Sequence, residues 1–137
     1  MASAPGYLID TNILLRLFRK VDPLHQLIKG TLSGLNGQGC GLYFSLQNIA
    51  EFWNVCTRPT DRNGFGLTDA ETNKCVDEIE RNMTFLPDNQ QVYSNWRQLV
   101  VAYGVTRILT MNQQDFLRYP AIQAVHPGQV QTSPQYP

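Results

Sequence analysis

The chain has few of the residues that announce a chemistry by themselves. Its 137 residues include only 3 cysteines and 2 histidines, and Cys40, Cys56 and Cys75 are widely separated, with no C-x-x-C pair. That pattern argues against a disulfide framework or a zinc site and suits buried, reduced thiols. No charge of one sign dominates: 11 Lys and Arg balance 11 Asp and Glu, so no global positive field marks nucleic acid as a partner. No apolar run approaches the roughly 20 residues of a membrane span, so a membrane is not an expected partner. Met1 to Gly6 has neither the basic nor the apolar part of an export signal, which makes the cytoplasm the expected compartment. Internal repeats are lacking too. What is there is an ordinary globular make-up, 42% hydrophobic and 16% charged, long enough for one core. Function must therefore be read from a site.

Short apolar runs alternate with helical periods. Tyr7-Leu8-Ile9 reads as a first strand and Ile13 to Arg19 as a helix. Asp22-Pro23 reads as an N-cap with proline at the first helical position, opening a stripe of Leu24, Leu27, Ile28, Leu32 and Leu35 that Asn36-Gly37 and Gly39 end. Leu42-Tyr43-Phe44 is a second strand. Ser45 then caps a helix with Leu46, Ile49, Trp53 and Cys56 on one side and Glu51 nearly opposite, beside Gln47, Asn48 and Asn54. Arg58-Pro59 stops that helix, and Thr60 to Gly66 is a loop. Thr68-Asp69-Ala70-Glu71 is a capping box that opens a helix through Met83.

Phe85-Leu86 reads as a third strand, and Val92, Trp96, Leu99, Val100 and Tyr103 as a helix closed by Gly104. Ile108-Leu109-Thr110 is a fourth strand, Gln113 to Leu117 at most a short helix, and Ile122 to Val125 an edge-like fifth strand. Strands separated by helices predict an α/β domain: a mostly parallel sheet of four to five short strands with helices on both faces. The domain is expected over residues 1–127, with 128–137 as a flexible or loosely docked tail.

Asp10 ends the first strand and is followed at once by Thr11 and Asn12, where open α/β sheets keep their chemistry. It reads either as a metal ligand or as the N-cap of the next helix. Glu51 lies two turns into the helix after the second strand, and Asn112 and Asp115 follow the fourth. Right-handed crossovers bring these segments to one edge of the sheet, so four oxygen-bearing side chains can converge. Hard divalent ions take such oxygens, and Mg²⁺ needs only one or two carboxylates beside waters and substrate phosphates. Like charges crowded together disfavour mutual ionisation, and a bound cation removes that cost. The plainer readings are a solvated Glu51, and a turn with an Asx-type cap at Asn112 and Asp115.

Three segments together resemble the PIN-domain family of metal-dependent ribonucleases, which includes toxins of bacterial toxin–antitoxin pairs. They are Tyr7-Leu8-Ile9-Asp10-Thr11-Asn12, Asn48-Ile49-Ala50-Glu51-Phe52-Trp53-Asn54-Val55 with Thr57-Arg58-Pro59, and Arg107-Ile108-Leu109-Thr110-Met111-Asn112-Gln113-Gln114-Asp115-Phe116. A closing Val125-His126-Pro127 extends the likeness over nearly the whole chain. The resemblance implies a three-layer α/β/α fold and a Mg²⁺ or Mn²⁺ cofactor. Asp10 and Glu51 match the family's first and second acids, and Asn112 stands where a fourth acid or an asparagine falls. Thr110 and Asp115 match the polar framework around it, and Thr11 and Asn12 would orient Asp10. The implied activity is endoribonucleolytic cleavage of single-stranded RNA, with a small antitoxin protein as partner and a homodimer as assembly.

The chain departs from the family in one respect. Between the helix ending near Tyr103 and the last core strand, relatives carry a further strand and a third acid opening a helix. Here Val101-Ala102-Tyr103-Gly104-Val105 runs straight into Thr106-Arg107-Ile108-Leu109, with no acid between Asp88 and Asp115. Either the unit is left out of this sequence, or the chain is shortened, with metal affinity reduced and activity at risk. The rival function is then a non-catalytic module that binds protein or RNA. An aspartyl-phosphate phosphatase fits poorly, because Asn12 stands where its second aspartate is wanted. Arg58 and Arg62 can be phosphate contacts or ordinary solvated arginines. His25 and His126 are expected to do no chemistry, and Trp53 and Trp96 to be core or interface anchors.

Overall fold

The computed structural model describes residues 4–86, 104–116 and 123–130, with Asp115 and Phe116 described by their backbone alone. Five strands, Gly6–Ile9 (β1), Leu42–Phe44 (β2), Thr84–Phe85 (β3), Val105–Leu109 (β4) and Gln123–Val125 (β5), form one sheet in the order β3-β2-β1-β4-β5. Every pairing is parallel. Helices Thr11–Leu17 (α1), His25–Gly37 (α2), Leu46–Thr57 (α3) and Asp69–Asn82 (α4) flank it. The expected three-layer α/β/α class is the one observed. The expected helix from Val92 to Tyr103, with Trp96, and the tail beyond Val130 lie outside the described residues.

Alternation along the strands sorts the apolar side chains onto two faces. Tyr7 and Ile9 of β1, Leu42 and Phe44 of β2, Leu109 of β4 and Val125 of β5 join one cluster with Ile13 and Leu14 of α1, Ile28, Leu32 and Leu35 of α2, Phe52 and Cys56 of α3, and Val76 and Ile79 of α4. Leu8 and Tyr43 belong to a second cluster, with Leu86 and Val105. Strands apolar on both faces are what a parallel sheet requires, and they explain the unbroken runs in the sequence. Phe52 is completely buried, its ring centre 5.5 Å from that of Phe18 in an edge-to-face pair, and its truncation to alanine costs about 3–5 kcal/mol.

Local chemistry sets most boundaries. Asp10 accepts from the Thr11 N–H, so α1 starts at Thr11, two residues before the apolar period does. Ser45 with Asn48, and Thr68 with Glu71, form reciprocal capping boxes at α3 and α4. α2 departs from expectation: it begins at His25 and has no side-chain cap. The Asp22 carboxylate is bound instead to the Leu24 N–H at 2.8 Å and to Arg16 at 2.9 Å, which closes a turn ahead of the helix. Between α3 and α4 the chain folds back so tightly that a Cβ on Gly64 would lie 2.0 Å from the Arg58 carbonyl oxygen; only glycine fits there.

Past β5 the chain stays docked as far as Val130. His126 caps a 3-10 turn, Pro127–Gln129, its Nδ1 accepting from the Gly128 N–H, and Thr31 of α2 donates to the Pro127 carbonyl at 3.3 Å. Val130 is half-buried against the main cluster. All three cysteines are free, with Cys40 and Cys56 buried; loss of hydration pushes the Cys56 thiol up to about 12. Among the described residues no helix is long and apolar enough to cross a membrane.

Candidate metal centre

From β1 the chain steps outward through β2 to β3, then returns to the far side of β1 as β4 and continues to β5. The crevice between the carboxyl ends of β1 and β4 is thus the point where strand order reverses, the usual ligand position in open α/β sheets. Asp10 follows β1 and Thr110 follows β4 at this crevice, and the Asp10 N–H donates to the Leu109 carbonyl at 3.0 Å.

Asp10 is held from both sides. Its Oδ1 accepts from the Thr11 N–H at 2.8 Å, and its Oδ2 accepts from Thr110 Oγ1 at 2.8 Å and from Asn12 Nδ2 at 3.3 Å. Asn12 also accepts the Met111 N–H on Oδ1 at 3.2 Å, tying α1 to the exit of β4. Thr110, fully buried, accepts the Asn112 N–H at 3.0 Å, so the asparagine backbone joins the Asp10 cluster while its side chain is exposed. Asp115 belongs to the 3-10 turn Gln113–Phe116, but its side chain lies outside the described part of the chain.

Glu51 projects from the exposed face of α3 toward the same place. Its Oε2 accepts from Thr11 Oγ1 at 2.8 Å and its Oε1 from Gln47 Nε2, one turn earlier, at 3.0 Å. Thr11 therefore connects the two acids, presenting its backbone N–H to Asp10 and its hydroxyl to Glu51. Sequence reasoning had Thr11 orient Asp10 and gave it no part at Glu51. The difference arises because α1 packs against α3, which leaves the hydroxyl facing the neighbouring helix.

A carboxylate offers about four lone-pair directions, and these hydrogen bonds leave some free on both Asp10 and Glu51. That donor set, two carboxylates with amide and hydroxyl oxygens, is of the kind that Mg²⁺ or Mn²⁺ accepts. Among the described residues no set of three His, Cys, Asp or Glu side chains gathers around one point. Arg58 and Arg62 are exposed and sit beyond the end of α3, Arg58 roughly 10 Å along the helix axis from Glu51 at 1.5 Å per residue. His25 is buried, with Nδ1 3.0 Å from the Arg16 carbonyl oxygen, and Trp53 packs against the core.

Sequence reasoning missed the role of Asn48, which it placed on the polar face of α3 beside Glu51. The residue is only 8% exposed and its Nδ2 donates to Thr11 Oγ1 at 3.2 Å. Its spacing of three from Ser45, the capping-box pattern, is the signal that could have found it. No protein-family model matches the chain, and no curated protein matches it.

Proposed function

We propose that the protein is a Mg²⁺- or Mn²⁺-dependent endoribonuclease of the PIN type, acting in the cytoplasm on single-stranded RNA. The observation that carries this reading is the tie of Asp10 and Glu51 to one residue, Thr11, at the crevice where strand order reverses. Two carboxylates suffice for a hard divalent ion that takes its remaining ligands from water and phosphate. Asp10 and Glu51 would hold the ion, Asn112 would contribute from the exposed rim, and Thr11, Asn12 and Thr110 keep the acids in place. When bound, the ion supplies positive charge for a phosphodiester, which a chain of zero net charge otherwise lacks, and acidifies an attacking water. The family likeness adds a small antitoxin protein as partner and a homodimer as assembly.

The second reading, a PIN-like module that binds protein or RNA without cleaving, is favoured by the gathering of only two carboxylates among the described residues. Divalent titration separates the two. A nuclease cleaves single-stranded RNA only with Mg²⁺ or Mn²⁺ and loses at least about 100-fold in rate in Asp10→Asn and Glu51→Gln, of the order found when metal-site groups are removed. Metal-independent binding with no cleavage, unchanged in both variants, overturns the nuclease reading.

A further inference from the structure

Asn48 is buried, and covalent chemistry fixes the direction of every hydrogen bond around it. Its Oδ1 lies 3.0 Å from the Ser45 backbone nitrogen, which can only donate, so the carbonyl end of the amide faces Ser45 and the NH₂ end faces Thr11. An amide NH₂ cannot accept. The Thr11 oxygen therefore accepts from Asn48, and its single proton is left for the Glu51 carboxylate, 2.8 Å away. Ser45, Asn48, Thr11 and Glu51 form one directed chain that begins at the cap of α3, crosses to α1 and returns to α3.

We propose that Asn48 is a positioning residue, which holds the Thr11 hydroxyl proton toward Glu51 and thereby fixes the Glu51 carboxylate at the centre. Without this donor the hydroxyl would be free to rotate toward other acceptors, and Glu51, on an exposed helix face, would keep only Gln47 as a hydrogen-bond partner. The role in activity rests on the nuclease reading; the fixing of Glu51 does not.

Asn48 also caps α3, and Asn48→Asp separates the two roles. An aspartate still accepts the Ser45 N–H, and its charge suits a helix N-terminus, so folding is retained, whereas the donor to Thr11 is lost. Thr11→Val removes the same hydrogen bond to Glu51 without adding charge, and Thr11→Ser restores it. Two measurements are made on all four proteins: the three-bond NMR couplings that report the χ1 rotamer of Glu51, and the rate of Mn²⁺-dependent RNA cleavage.

The expected result is a single Glu51 rotamer in the wild type and in Thr11→Ser, and averaged couplings in Asn48→Asp and Thr11→Val. Cleavage should fall about 10- to 100-fold in the latter two, the range for groups that orient metal ligands. Glu51 couplings unchanged in Asn48→Asp overturn the proposal, as does a wild-type cleavage rate in both donor-deficient variants. A wild type that neither cleaves nor depends on metal overturns the nuclease reading alone, and the couplings still decide whether Asn48 fixes Glu51.

Discussion

Thr110 Oγ1 donates to Asp10 Oδ2 across 2.8 Å, joining two residues one hundred positions apart at neighbouring strand ends. The same hydroxyl accepts the Asn112 N–H at 3.0 Å. One buried side chain thus holds the acid that follows β1 and shapes the turn that leaves β4.

Replacing Thr110 by valine keeps the shape and removes the hydroxyl, leaving the Asn112 N–H and one direction of the Asp10 carboxylate without their partner. The expected loss is about 1–3 kcal/mol of stability, with Thr110→Ser close to wild type. Thermal unfolding checks this, at roughly 4 °C per kcal/mol for a domain of this size. A Thr110→Val protein melting with the wild type would show that the hydroxyl contributes nothing.

Asp22 predicts a dependence on acid. The Leu24 N–H, with the Arg16 guanidinium beside it, holds the carboxyl below its ordinary value of 3.8. A depressed folded-state pKa gives stability that is fully present above the ordinary value and is lost as pH falls through the folded one. Asp22→Ala should therefore cost about 1–2 kcal/mol at pH 7 and progressively less below about pH 4. Denaturant unfolding of both proteins at pH 7 and pH 3 measures the difference, and an equal gap at the two pH values would contradict it.

The cysteines should resist thiol reagents in the folded state. Burial pushes all three thiols upward, Cys56 to about 12, so little thiolate is available at pH 8. Titration with an aromatic disulfide should leave Cys40 and Cys56 unmodified in native protein and count 3 thiols after denaturation. Rapid modification of Cys56 without unfolding would contradict the burial described above.

Much of the fold is legible in the residues because its signals are local. The runs Tyr7-Leu8-Ile9 and Leu42-Tyr43-Phe44 read as strands because both of their faces are apolar, and the cap at Ser45 and the capping box at Thr68 are short-range hydrogen bonds between residues three apart. Asp22-Pro23 misleads for the same reason. As a local pattern it reads as a helix cap, whereas the carboxylate closes a turn ahead of α2, bound to the Leu24 N–H two residues on and to Arg16 six residues earlier. The Arg16 contact is the part that the Asp-Pro pattern does not contain.

The positions of Asp10, Glu51, Thr110 and Asn112 stand out as polar residues just past strands or on a polar helix face. Sequence spacing alone determined which side chains could reach the sheet edge, since alternation and helical period decide where a side chain points. Only the tertiary structure decided which of them touch. The packing of α1 against α3 set the Thr11 hydroxyl on Glu51, and the adjacency of β1 and β4 placed Thr110 on Asp10. It also buried Asn48, which helical period had put on the polar face of α3. The physical reason is that a hydroxyl or an amide has several acceptors within reach of its backbone position, and the neighbouring element selects among them.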